Sequence, residues 1–210
     1  MGQLRFSIIY LILFLQGQVS AQVCGPVGIK IGALCSDQAF QGAFSIRSTK
    51  RIPQVGIAVF AQWFRASRFS LLTQLELAQR GTQVTELIPT APFEREISHV
   101  SLRNKLQYVS MPILLRWSQS SDGLDVYALI GPRIDYLLHY SSQNHYLDGA
   151  YADFKRTLLG ASIGVGLESE RLFPFILLAE LRYDFDLFSS TQQYHFIRSD
   201  SFGLWLGCGF

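Results

Sequence analysis

Apolar and polar residues alternate with a period of two along most of the chain. The clearest run extends from Val126 to Tyr140, where every second residue is apolar, aromatic or proline. Alternation of this kind predicts a β-strand with one apolar face, because successive side chains of a strand point to opposite sides. Seven further segments repeat the pattern, beginning near Val27, Val55, Phe69, Met111, Leu159, Phe175 and Phe202. The sequence therefore predicts an all-β protein with eight strands.

The connections between these segments also alternate, this time in length. Short connections are predicted at residues 64–68, 118–124 and 169–172, and longer ones at 36–53, 80–100, 141–155 and 186–200. Short turns at one end and long loops at the other are typical of outer-membrane barrels. This predicts an eight-stranded antiparallel transmembrane β-barrel with short periplasmic turns and four longer extracellular loops.

Alternation alone does not say which face of the barrel is buried. A soluble, lipocalin-like barrel of eight strands would hold its apolar face inside and its polar face in water. Here the non-apolar face is mostly Gly, Ser and Gln with a few charges of both signs, which suits a narrow interior where charges must be paired. The predicted interior charge network comprises Lys30, Glu76, Arg116, Arg133, Asp135, Glu168, Glu180, Arg182 and Asp184.

Aromatic residues on the apolar face favour the membrane barrel over the soluble one. They collect near the two ends of the strands, as expected at the two interfaces of a membrane. The predicted girdle contains Trp63, Phe69, Trp117, Phe175 and Phe210 on the short-turn side, with Tyr140 and Tyr183 on the long-loop side.

The N-terminus predicts export. Arg5 precedes an apolar stretch from Phe6 to Leu15, and the small residues before Gln22 form a cleavage site. This is the layout of a secretory signal peptide, and the stretch is too short for a membrane anchor. We expect a signal peptide at 1–21 and a barrel domain at 22–210. Only 16% of residues are charged and the net charge is +2, which argues against a nucleic-acid partner.

Candidate chemistry is sparse. His99, His139, His145 and His195 all fall on the predicted long-loop side, where His195 with Asp184 or Asp186 and a loop serine could build a rim enzyme. No catalytic motif supports that alternative, and a metal site in the loops is equally unsupported, so no cofactor or metal is predicted. The basic residues Arg95, Arg103 and Lys105 are expected in a solvated loop that contacts lipid phosphates.

The chain has three cysteines, Cys24, Cys35 and Cys208. An odd count leaves at least one thiol free. Strand one starts and strand eight ends on the same side of the membrane, so a Cys24–Cys208 disulfide across the seam is one hypothesis. Two unrelated thiols are the other, because disulfide geometry is demanding.

Several segments resemble the small outer-membrane barrels of the Bacteroidetes type, the PorT-like family. The similar pieces occur in the family's order: residues 28–32 (GIKIG), 75–81 (LELAQRG), 106–117 (LQYVSMPILLRW), 127–132 (YALIGP), 180–183 (ELRY) and 207–210 (GCGF). The chain departs from the family pattern at Ile31–Leu34 and at Gln79. The resemblance implies an outer-membrane barrel of a Gram-negative bacterium and makes type IX secretion a potential context, but it implies little about activity.

Two functions follow as expectations. The first is a non-enzymatic outer-membrane barrel, structural or partner-binding, which contacts outer-membrane lipid and protein partners of unknown identity. The alternative is an outer-membrane rim enzyme that acts on lipid or peptide through loop His and Asp residues.

Overall fold

The computed structural model of the protein describes residues 24–41, 46–66, 68–91, 94–121, 123–142, 154–169, 175–190 and 196–210. They form eight strands: β1 (Cys24–Gln41), β2 (Ile46–Ala66), β3 (Phe69–Ala91), β4 (Glu94–Ser121), β5 (Leu124–Ser142), β6 (Thr157–Ser169), β7 (Ile176–Asp186) and β8 (Phe196–Gly209). Each strand pairs with the next in antiparallel fashion, and β1 pairs with β8. The sheet is therefore a closed barrel, as the sequence predicts. Among the described residues, no helix is long and apolar enough to cross a membrane.

The faces of the barrel are inverted relative to a soluble protein. Along β6, buried and exposed side chains alternate almost without interruption. The exposed set is apolar and includes Ile163, Val165 and Leu167, whereas Ser162 and Glu168 are buried. Outward apolar residues also follow β1 and β2, where Ile31 and Val55 are more than 60% exposed. An apolar band around the outside of a closed barrel suits lipid and not water, which removes the lipocalin-like alternative.

Two of the four long connections differ from the sequence prediction. Only residues 42–45 separate β1 from β2, and only residues 92–93 separate β3 from β4. The segments predicted as loops at 36–53 and 80–100 are therefore mostly strand, paired as far as Ala91 and Glu94 in the β3–β4 hairpin. Sequence alternation weakens there because outward and inward positions are both polar, as with the exposed Lys105 beside the buried Asn104, so the pattern no longer marks the strand.

A β-bulge in β2 reshapes one wall. Between Arg51 and Gly56 the register of β2 against β3 shifts by one residue. Gly81 of β3 lies opposite this bulge, and Ser36 of β1 satisfies its backbone groups. The Ser36 hydroxyl accepts a hydrogen bond from the Gly81 N–H and donates one to the Gly81 carbonyl, both at 2.8 Å. At the opposite end, Gly123 adopts φ 77° in the β4–β5 turn, a conformation that favours glycine.

Candidate functional site

The interior of the barrel holds a continuous network of charged side chains. The structure places all nine residues of the predicted network inside, none more than 5% exposed. It also adds two that the sequence analysis missed, Arg80 and Asp186. Both are the first residue of a predicted loop, because the predicted strands ended just before them, although the period of two continues through Thr82 on β3 and from Asp184 to Asp186 on β7.

One ion pair crosses the full width of the lumen. Arg182 of β7 donates from both terminal nitrogens to Glu76 of β3, at 2.6 and 2.7 Å. Strands three and seven lie on opposite walls of an eight-stranded barrel, so this bidentate pair spans the interior. Arg182 also contacts Asp184 at 3.0 Å and Gln74 at 3.1 Å. The lumen is therefore blocked at this level by side chains that hold each other in place.

Toward the long-loop end, the network continues through two further arginines. Arg133 donates to Asp135 at 2.8 Å and to Asp186 at 3.0 Å, and it lies 3.3 Å from Asp184. Arg80 binds the same Asp135 from the other side at 2.7 Å. The remaining oxygen of Asp186 accepts the backbone N–H of Ser199 at 3.0 Å. Every carboxylate in this half is thus held by at least one guanidinium.

Toward the short-turn end, two pairs complete the network. Lys30 binds Glu180 at 2.6 Å, and Arg116 binds Glu168 at 2.6 Å. The Tyr127 hydroxyl donates to Glu180 at 3.4 Å, while its ring lies 4.2 Å from the Arg116 guanidinium carbon. Tyr127 therefore links the two pairs into one network.

Aromatic rings contact most of the interior cations, in addition to the carboxylates that pair with them. Besides Arg116 on Tyr127, the structure stacks Lys30 on Phe60 at 5.1 Å, Arg80 on Tyr108 at 5.1 Å and Arg182 on Trp205 at 4.8 Å. A desolvated cation–π contact contributes about 2 kcal/mol. Four of the five interior cations gain this second partner, which helps to explain how so many charges fit in the narrow interior of the barrel.

Apolar side chains cap this polar interior at the long-loop end. Phe154 precedes β6 and packs into a buried cluster with Leu106, Leu137 and Ile197, which also includes Tyr108 and Leu158. Backbone hydrogen bonds hold the segment, since Lys155 N–H donates to the Ser190 carbonyl at 2.7 Å and Ser190 N–H to Ile197 at 2.8 Å. In the described part of the chain, these apolar side chains therefore lie between the charge network and the long-loop end.

Most residues of the predicted aromatic girdle lie on the outer surface near the strand ends. Phe69 pairs across the sheet with Trp117, Trp63 donates to the Thr73 hydroxyl at 2.8 Å, and Phe175 lies 6.5 Å from Phe210. Tyr183 on the opposite side donates to Asp200 at 3.1 Å.

Tyr140 follows a register shift in β5. A bulge in β5 at Leu138 shifts the register, so Tyr140 pairs with the buried Leu106 and His139 pairs with the exposed Gln107. Paired residues of neighbouring strands point to the same side. The register thus sets Tyr140 on the side of Leu106, although 39% of its surface is exposed, and its place in the girdle stays a prediction.

The hypothesis of a Cys24–Cys208 disulfide is wrong. Cys208 is a free thiol that pairs with Ile29, five residues along β1 from Cys24. The antiparallel register sets the strand ends past one another, so the two cysteines do not meet across the seam. Cys35 is a second free thiol, on the outer face.

The residues proposed for a rim enzyme are not brought together. Asp184 and Asp186 lie inside the barrel and bind arginine, while His195 and His145 lie outside the described residues. His99 falls within β4, and His139 is exposed on the outer face of β5. Arg95, Arg103 and Lys105 are part of β4 and not of a loop, with Arg103 and Lys105 exposed on its outer face.

Comparison with known proteins agrees with this architecture. Residues 26–192 match the family described as outer membrane protein beta-barrel domain. The chain belongs to this family, and it is an outer-membrane protein of a Gram-negative bacterium. No curated protein sequence matches the chain.

Solved structures of small outer-membrane barrels are similar in fold. Ail, the attachment invasion locus protein of Yersinia pestis, has 14% identity and a TM-score of 0.45, over 89% of this chain and 99% of Ail. Neisserial surface protein A has 12% identity and a TM-score of 0.45 over the same shares. Outer membrane protein W of E. coli has 14% identity and a TM-score of 0.35, over 85% of this chain and 96% of that protein. Identities this low do not transfer a function.

Proposed function

We propose that the protein is a non-enzymatic outer-membrane component that binds a partner protein at the cell surface, after export directed by residues 1–21. The observation that carries the proposal is the β3–β4 hairpin. Its strands are 23 and 28 residues long, whereas about 9–11 residues suffice to cross a membrane in a barrel. Much of the hairpin therefore stands outside the lipid.

The position of the apolar band shows where the projecting part begins. Among the residues whose burial the structure describes, outward apolar residues end at Leu77 on β3 and start again at Val109 on β4. Between them the hairpin continues to the Ala91–Glu94 pair, about 46 Å along β3 at 3.3 Å per residue. A paired two-stranded arm of this length presents a large surface with an ordered backbone, which suits protein binding better than a flexible loop does.

The interior supports a non-enzymatic role. The Arg182–Glu76 pair crosses the lumen, so the barrel offers no wide passage for solutes at that level. The carboxylates that a rim enzyme would need are already bound, Asp184 to Arg182 and Asp186 to Arg133. These groups serve as charge compensation inside the wall and do not face the loops.

The resemblance to PorT-like proteins suggests where the partner belongs. We expect it to be another component of the cell envelope of a Bacteroidetes bacterium, with a type IX secretion complex as the first context to test. This lineage and this context are part of the proposal.

The test shortens the hairpin and leaves the barrel intact. Residues 85–101 would be replaced by an Asn-Gly turn, which joins the paired residues Val84 and Leu102 and suits a two-residue hairpin connection. We expect the shortened protein to enter the outer membrane and to keep the heat-modifiable gel mobility of a closed barrel. After cross-linking in intact cells, it should lose a partner that the full-length protein retains.

The control variant carries an insertion as long as the removed segment 85–101, placed at Gly123 in the turn at the other end of the barrel. It should leave that partner bound. Recovery of the same cross-linked proteins with the shortened and full-length chains would contradict the proposal.

A further inference from the structure

The outer wall formed by β3, β4 and β5 changes character abruptly at the edge of the apolar band. Below the edge, Met111 and Leu138 are exposed apolar residues. Beyond it, the outward side chains are polar or cationic and form what we call the basic patch: Gln79, Arg103, Lys105, Gln107, His139 and Ser141. The intervening residues Asn104 and Leu106 are each only 1% exposed, which confirms that the patch residues point outward.

The strand register assembles the patch in two rows. Gln79, Gln107 and His139 are mutually paired across the three strands, and Gly81, Lys105 and Ser141 form the next row. Lys105 thus has a glycine on one side and a serine on the other. Small neighbours leave its ammonium group accessible from the outside.

A β-bulge builds the third strand of the patch. Without the extra residue in β5, the outward positions would continue from Leu138 to Tyr140. The register shift between Gln107 and Tyr108 turns His139 and Ser141 outward instead. Bulges commonly re-aim a side chain at the edge of a site. Here the bulge places the hydrogen-bonding groups of His139 and Ser141 beside two cations.

The cations of the patch lack protein partners. Within the described part of the chain, neither Arg103 nor Lys105 makes an ion pair or a side-chain hydrogen bond, and no outward residue described on β3–β5 beyond the band is acidic. The neighbouring wall formed by β2, β1 and β8 differs, because Arg51 of β2 binds Asp200 of β8 at 3.0 Å and Asp200 also accepts from Tyr183. Arg51 on that wall therefore has a carboxylate partner, whereas Arg103 and Lys105 have none among the described residues.

We propose that the basic patch binds the phosphorylated sugar headgroup of an outer-leaflet glycolipid. The patch lies immediately beyond the apolar band, which is the level of lipid headgroups. Arg103 and Lys105 are two residues apart on one strand face, about 7 Å, and can contact separate phosphate oxygens. Gln79, Gln107 and Ser141 supply neutral donors and acceptors for sugar hydroxyl groups.

The test measures binding of diphosphoryl lipid A to the full-length barrel in detergent micelles by native mass spectrometry. Arg103→Gln combined with Lys105→Gln should weaken binding about tenfold to a hundredfold, since each lost charge-assisted contact corresponds to roughly a tenfold change. Dephosphorylated lipid A should bind the native protein as weakly as diphosphoryl lipid A binds this double variant. Phosphatidylglycerol should bind more weakly than lipid A, because it lacks the phosphorylated sugar.

The matched control is Arg51→Gln combined with Arg198→Gln, which removes the same charge from exposed positions of β2 and β8, outside the patch. It should change lipid A binding less than about threefold. Equal losses in the two double variants would show general charge attraction and overturn the site. Unchanged binding after substitution of Arg103 and Lys105, or equal binding of lipid A and phosphatidylglycerol, would overturn it as well.

Discussion

The interior network and the basic patch use the same residue types in opposite ways. Inside, each of the five cations has a carboxylate oxygen within 2.8 Å, and four also contact an aromatic ring. On the outer wall, Arg103 and Lys105 have neither kind of partner within the described residues. The difference follows from solvent, because a charge deprived of water must be paired by the protein, whereas a charge at the headgroup level can be paired by water or lipid.

This contrast separates charges that stabilise the barrel from charges that are available for binding. Interior pairs join strands that are distant in sequence, such as β3 with β7, so their loss should affect the whole barrel. The two cations of the patch, Arg103 and Lys105, lie on one strand and have no partner on a distant wall among the described residues. The predictions below test this division, from the largest expected effect to the smallest.

The first prediction concerns Arg182→Met. It removes the cation shared by Glu76, Glu180 and Asp184 and leaves buried carboxylates uncompensated. We expect the free energy of unfolding to fall by about 3–5 kcal/mol, measured by urea unfolding in micelles and by loss of heat-modifiable gel mobility. Arg51→Met is the control, since its pair with Asp200 is solvent-exposed and should contribute less than about 1 kcal/mol. Similar losses in both variants would contradict the division.

The second prediction tests the packing around the network. In Gly166→Ala, the new methyl group would lie 2.3 Å from the Tyr127 ring, which is stacked on Arg116. We expect a loss of about 1–3 kcal/mol in the same unfolding assay, because the ring must shift off the guanidinium. Gly209→Ala should change stability by less than about 0.5 kcal/mol, since its nearest neighbour would be at an ordinary 3.4 Å. A tolerated alanine at Gly166 would show that the interior is looser than the stacking implies.

The third prediction concerns the β2 bulge. Ser36→Ala removes the hydroxyl that bonds both the N–H and the carbonyl of Gly81 inside the barrel. Leaving a buried N–H unpaired should reduce the free energy of unfolding by about 1–2 kcal/mol. Ser120→Ala, at an exposed position of β4, is the control and should be neutral. Equal stability of the two variants would mean that another group satisfies Gly81.

The smallest effect is expected on the outer wall. Arg103→Gln with Lys105→Gln should change the free energy of unfolding by less than about 0.5 kcal/mol, because the side chains have no partner in the described structure to lose. Urea unfolding of this double variant beside native protein tests the point. A loss as large as that of Ser36→Ala would assign the two cations to folding and remove the contrast with the interior.

Local sequence pattern predicted much of the barrel and its interior. Inside the membrane, each strand meets lipid on one face and a packed lumen on the other, so alternation persists and identifies Glu76, Arg116 and Arg182 as inward residues. Beyond the apolar band, outward residues such as Lys105 are polar, as is the inward Asn104, and the pattern fades. This is why the strand extensions to Ala91 and from Glu94 were predicted as loops, and why Arg80 and Asp186 were missed at the margins.

The sequence by itself determined the class of fold, the number of strands and the face on which most charges lie, because these depend on a period of two and on what surrounds the strand. Only the tertiary structure decided which charges meet, such as Arg182 with Glu76 across the lumen, and where register shifts turn His139 outward or separate Cys208 from Cys24. Pairing and register depend on how eight strands close into one barrel, and no single segment of sequence contains that information.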